Sequence, residues 1–296
     1  MPALPADWFE PAPPWAPQPR APAAAPAPLR RLLRDPWSVG ALAVLALVAL
    51  LSLVVPALGH PARIDLLDTE APPSWAHPFG TDALGRDVFA RTFAGGRVSL
   101  GIGVFAALVD LGIGAVWGSL AGLLGGLWDE VLMRAVDVLY GIPFVLVVIL
   151  LVVTIGPGVG SVAVAIALVN WLGMARLVRS LVLQLVGQDW VLAARALGVP
   201  EGRILWRHVV PHLLGPMLAW LSYNVPAAIF TEAFLSYLGL GVQSPATSWG
   251  SLVADGAEAF RLYPAPFFFP AAVLSVTLLA FYVLSDGIQA AWAGSP

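Results

Sequence analysis

The chain has 296 residues, 59% hydrophobic and only 11% charged, with a formal net charge of −3. A water-soluble domain carries about 25% charged residues, so a soluble fold is excluded, and the dispersed basic residues leave no nucleic-acid footprint. There is no cysteine, which removes disulfides, iron–sulfur centres and thiol catalysis.

Residues 1–37 hold eleven prolines among alanines and a few charges. Such a stretch neither forms a helix nor packs a core, and a disordered tail is expected there. Arg30, Arg31 and Arg34 precede an uncharged run at 38–58, long enough to cross a hydrocarbon core of roughly 30 Å. Ala57-Leu58-Gly59 imitates a signal-cleavage site, but the run exceeds the ~7–15 residues of a signal core and further spans follow. The run therefore reads as a retained first transmembrane helix, and 59–97 as an outer loop.

Five more spans are expected within 98–290. The second covers Val98 to about Gly122 and contains Asp110. Its Gly114, Gly118 and Gly122, four apart, form a small-residue face of the kind that lets helices approach closely in lipid, either within one bundle or between subunits. The uncharged stretch Val138 to Ala175 is divided by Gly156-Pro157-Gly158, a turn signal, into the third and fourth spans. The fifth runs from about Leu213 to Leu235, and the sixth lies within Leu262 to Ser285, with Pro264, Pro266 and Pro270 at its start.

Asp110, Asn170, Asn224 and Glu232 are the polar residues within spans singled out as translocation-path or interhelical contacts. An acid at membrane depth costs about 2.5–3.5 kcal/mol or more, so it faces a cavity or a partner. For Asp110 and Glu232 an interhelical hydrogen bond is favoured over contact with cargo. Asp110 extends the glycine stripe, and its candidate partners are Asn170, Ser161 and Thr154. His208 and His212 have the spacing of a zinc helix, but no glutamate follows His208, and Pro211 is expected to interrupt the helix between them. No histidine lies inside a span, which leaves an intramembrane serine protease without its base.

Between the fourth and fifth spans, 188–211 reads as a short helix, a glycine stop at Gly198, and a second helix starting near Pro200. Asp189 suits the positive end of the first helix dipole, Gly198 can adopt the left-handed stop conformation, and Glu201 sits in the first turn of the second helix. Placing the N-terminus inside puts ten arginines on inner segments against five outside, as the positive-inside rule requires. Both termini and the 188–211 loop then face the cytoplasm. All 15 basic residues are arginine. A Walker loop needs its lysine to reach the β- and γ-phosphates, so any ATP that drives this protein must bind another subunit.

Ala193, Ala194, Gly198 and Pro211 fall at the spacing of the "EAA" coupling loop of ABC-importer permeases. Leu192 stands where that pattern has its glutamate, and Val210 where it has its leucine. His77-Pro78-Phe79-Gly80-Thr81-Asp82 with Gly85-Arg86-Asp87, and Thr231-Glu232-Ala233 with Leu235 to Gln243 and Ser248-Trp249-Gly250, resemble signatures of dipeptide/oligopeptide ABC permeases, in particular the C-type subunit. The resemblance runs from about His77 to Ala290. It implies an all-α type I importer permease with six transmembrane helices in the cytoplasmic membrane, and no enzymatic activity, cofactor or metal of its own. The implied partners are membrane lipid, a homologous permease subunit, two ATP-binding subunits and an extracytoplasmic substrate-binding protein. The ATP-binding subunits would be contacted through Asp189, Leu192, Ala193, Ala194, Arg195, Gly198, Glu201, Arg203 and Pro211. Cargo is expected to be di- or oligopeptides, with nickel chelates, glutathione or sugars as alternatives in the same family. A secondary transporter is the competing class; it needs coupling acids at the midplane, for which only Asp110 is a candidate.

Overall fold

The computed structural model describes residues 28–293; of the tail expected over 1–37, residues 1–27, Arg20 included, lie outside the described residues. A short helix α1 (Pro28–Leu32) and α2 (Pro36–Leu58) occupy sequence that was expected to be tail up to residue 37. The Asp35 carboxylate caps α2, accepting from the Ser38 amide at 2.8 Å and from its hydroxyl at 2.5 Å. Pro36 supplies a first-turn residue that needs no acceptor.

The second span is a rod of 37 residues, Val88–Leu124. It consists of α3 (Val88–Val109), a π turn (Asp110–Gly114) and α4 (Ala115–Leu124). It begins at Val88 and not at Val98 because Asp87 caps it, accepting from the Ala90 amide at 2.8 Å. The charge of Arg91 does not end the helix, since its guanidinium is bonded to Asp82.

The third span departs most from expectation. It is a bent pair, α5 (Gly126–Tyr140) and α6 (Phe144–Ile155), meeting at 77°. Pro143 has no amide N–H to donate and drives the residue before it out of the helical region, so the chain breaks at 141–143. The turn at 156–158 forms as read, with Gly156 at φ 101° and Gly158 at φ 155°. The fourth span, α7 (Val159–Val186), continues past Ala175 because Arg176 and Arg179 are paired with acids of α5.

The fifth span is again a 37-residue rod, Glu201–Tyr237, made of α9 (Glu201–Ile204), a π turn (Leu205–Val209) and α10 (Val210–Tyr237), preceded by α8 (Asp189–Ala196). Pro211 does not interrupt this rod as expected. The widened turn before it moves the carbonyls its ring would strike, and His212 Nδ1 bonds the His208 carbonyl at 2.7 Å. Past the span lie α11 (Trp249–Ala259) and α12 (Ala265–Ala293). Five helices are long and apolar enough to cross a membrane, and the bent pair makes a sixth crossing if it is one span. Among the described residues there is no strand, only an isolated bridge between Thr81 and Asp87, and the architecture is all-α.

The glycine stripe is internal packing. A Cβ on Gly114 would lie 2.7 Å from the Trp171 carbonyl, one on Gly122 2.8 Å from Val182 Cβ, and one on Gly118 would overlap the Ala175 carbonyl, all on α7. Trp220 rests in the same way on Gly173, and Trp292 on Gly215, which brings α10 against α7 and α12 against α10.

Candidate functional site

The segment between α7 and α9 has the geometry of a corner. α8 starts with exposed Asp189 in its first turn and ends at Leu197. Gly198 takes φ 76°, its amide bonding the Arg195 carbonyl at 2.9 Å while the Val199 amide bonds that of Ala194 at 3.1 Å. These two bonds make a Schellman stop, and no neighbour lies within 4 Å of where a Cβ on Gly198 would be, so the glycine is required by its backbone angle alone. Pro200 holds the N-cap position and α9 starts one residue later, with Glu201 and Arg203 in its single turn.

One face of α8 is sealed to the bundle. Val191 is fully buried in a cluster with Val182, Ile204, Val209 and Leu213, and Ala194 and Val199 pack at its edge. The Trp190 ring stacks on His212 at 5.4 Å and 23°, with His208 at 6.3 Å. The i, i+4 histidines thus serve α8 through their rings, a role sequence reasoning missed because the tryptophan lies on a different helix. Arg195 binds Glu201 through Nε at 2.7 Å and a terminal nitrogen at 3.1 Å, and this hydrogen bonding raises the guanidinium pKa above its usual value. The opposite face of α8 is bare: Leu192, Ala193, Ala196 and Leu197 are exposed. Asp189 and Arg203 are exposed as well, with no ion pair among the described residues.

The polar residues inside the spans sort into two places. Asp110 is fully buried, and its Oδ2 accepts from the Asn224 amide on α10, while Oδ1 has no partner among the described residues. The expected partners are therefore wrong: Ser161 bonds the Gly158 carbonyl, Thr154 bonds carbonyls of its own helix, and Asn170 is half-buried with no bond to Asp110. The physical reason is the π turn. One extra residue rotates the preceding face by about 100°, so Asp110 leaves the glycine stripe that faces α7 and points at α10.

Glu232 makes an interhelical contact. It accepts from Ser99 at 2.9 Å and Ser236 at 2.7 Å. Ser99 also accepts from the Trp249 amide at 3.2 Å, and the Trp249 indole donates to the Thr92 carbonyl at 2.9 Å. These bonds fasten α3, α10 and α11 together. The His77–Asp87 motif is likewise structural: Asp82 accepts from the Leu84 and Arg86 amides and binds both Arg86 and Arg91, and His77 Nδ1 lies 2.8 Å from Asp87. Beside it an open cleft of about 600 Å³ is lined by Glu70, Arg86, Asp255, Glu258 and Tyr263 among others. The described residues contain no group of three or more side chains able to hold a metal.

Residues 114–293 match the family described as binding-protein-dependent transport system inner membrane component. The chain is 45% identical over 250 residues to the oligopeptide transport system permease protein OppC of Bacillus subtilis, a match covering 84% of this chain and 82% of that one. It is 44% identical over 268 residues to the dipeptide transport system permease protein DppC of the same organism, covering 88% and 82%. With the OppC protein of Escherichia coli K12 it shares 42% over 264 residues, covering 88% and 87%.

Proposed function

The chain belongs to the family of binding-protein-dependent transport system inner membrane components, and from that membership we propose that it is one of two unlike permease subunits in an ATP-driven importer of dipeptides or oligopeptides. The peptide class is supported by the relatives, which are named for oligopeptide and dipeptide transport. In this reading an extracytoplasmic binding protein delivers cargo to the outer face, two ATP-binding subunits dock on the inner face, and both termini of this chain are cytoplasmic. The arginine distribution supports that orientation.

One observation carries the coupling role. α8 is sealed on one face by Val191 and Trp190 and bare on the other along Leu192, Ala193, Ala196 and Leu197. Small and apolar side chains on a short helix suit insertion into a groove of another protein. With Arg195 engaged by Glu201, the charged groups of α8 and α9 open to a partner are Asp189 and Arg203. ATP-driven closure of the partner subunits would move α8, and with it α10, switching the spans between inward- and outward-facing states.

The test is reconstitution of the four-subunit complex in proteoliposomes with its binding protein and labelled peptide. Uptake that needs both ATP and the binding protein is expected. Uptake by this chain alone, or without ATP, would sink the proposal and favour a secondary transporter.

A further inference from the structure

We propose that residues 28–37 form a lipid-headgroup shelf, in which Leu29, Leu33 and Trp37 enter the leaflet while Arg30, Arg31 and Arg34 bind the phosphates of anionic phospholipid. The inference rests on α2 being a membrane span, and not on the cargo or on the ATP-coupling reading.

Depth comes first. The 23 residues of α2 rise about 35 Å at 1.5 Å per residue, enough to fill the hydrocarbon core. The residues just before Pro36 therefore fall among the headgroups. They are held there by packing: Leu32 and Ser38 are both buried and meet α12 at Gly287, where a Cβ would come 3.2 Å from Leu32 Cδ1 and 3.1 Å from Ser38 Cβ. The shelf is thus fixed to the bundle.

What faces away from the bundle is both apolar and cationic. Leu29 is 61% exposed, Leu33 55% and Trp37 76%. Arg30 and Arg34 are exposed and Arg31 is half-buried. Tryptophan prefers the lipid–water boundary, and an arginine stem lies along apolar surface while its head reaches phosphate.

The three arginines also lack a counter-charge within the chain. Arg176, Arg179 and Arg195 each bind a carboxylate, whereas among the described residues no carboxylate lies within ion-pair distance of Arg30, Arg31 or Arg34. The acid next to them in sequence, Asp35, has its carboxylate taken by the Ser38 hydroxyl and amide, which hold it below the usual range, and Asp286, beside Gly287 on α12, forms no ion pair with them. At this depth, beside exposed Leu29, Leu33 and Trp37, the anionic group within reach of three uncompensated guanidinium groups is a lipid phosphate.

The experiment uses the full complex in nanodiscs of phosphatidylcholine, alone or mixed with phosphatidylglycerol, and measures phosphatidylglycerol retained on detergent extraction by mass spectrometry. Wild type should enrich phosphatidylglycerol, with enrichment falling at high salt. R30Q/R31Q/R34Q should lose it by about fivefold per arginine, equivalent to about 1 kcal/mol each, and R30K/R31K/R34K should keep most of it. Should the triple glutamine variant fail to assemble, R34Q is read instead for a single step of about fivefold. Unchanged enrichment in an assembled glutamine variant would overturn the proposal. So would loss of an ATP-binding subunit at unchanged enrichment, which would make this a protein contact. Wild-type behaviour lost on deleting residues 1–27 alone would overturn it too, by assigning the lipid to the tail.

Discussion

Arg195 and Glu201 hold each other across the Gly198 stop, two nitrogens of one side chain on two oxygens of the other at 2.7 and 3.1 Å. The pair closes the corner between α8 and α9 from the solvent side, while Val191 closes it from within. Arg195→Gln and Glu201→Gln should each lower peptide-stimulated ATP hydrolysis modestly, and the double variant should be no worse than either single one. Both side chains are partly exposed, so the pair is worth about 0.2–1 kcal/mol and should weaken with salt. Additive losses in the double variant would show that the two residues act separately, each towards a partner.

Gly198→Val should uncouple transport from ATP hydrolysis in a complex that still assembles. At φ 76° a side chain costs about 1–2 kcal/mol of backbone strain, and the space around it is open, so the damage is to the angle of the corner and not to packing. Gly198→Asn should be milder, since asparagine tolerates this region. Uptake and stimulated ATPase rates measured side by side would separate the two variants.

For Asp110, replacement by Asn should be tolerated, because an amide can still accept from Asn224. Asn224→Leu should lower assembly yield and thermal stability more than Asp110→Asn does, since it leaves a buried carboxylate with both oxygens unpaired. The scale is about 0.6–1.7 kcal/mol for a lost interhelical hydrogen bond, and larger where the charge persists. If Asp110→Asn instead abolishes uptake in a normally assembled complex, the charge itself acts in translocation.

Gly118→Leu should prevent the bundle from forming, whereas Gly101→Leu should leave it intact. Both glycines lie on the same rod. A Cβ on Gly118 overlaps the backbone of α7, while one on Gly101 meets nothing within 4 Å. Monodispersity of the complex after extraction is the readout, and equal behaviour of the two variants would refute the assignment of the stripe.

The features legible in the sequence are those fixed by local rules. The Gly198 stop, the turn at 156–158 and the small-residue face of α4 each follow from a residue type at a spacing. The partner of Asp110 was not legible, because Asn224 is 114 positions away and a single π insertion decides which neighbour the carboxylate meets. The break in the third span was marked by Gly141-Ile142-Pro143, but the signal is masked by the uncharged run around it. α11 escaped because its burial depends on Ser99 and Thr92, residues of another helix that accept from Trp249.

The third span also bears on how thick the barrier is. α6 has 12 residues, about 18 Å of helix at 1.5 Å per residue, against a hydrocarbon core of roughly 30 Å. The break at 141–143 or the turn at 156–158 must therefore lie below the membrane surface, where loose backbone is tolerated only against protein or water. Whichever end lies at depth has to be covered by protein or water, even though Leu146, Leu150 and Val153 along α6 itself are exposed and apolar.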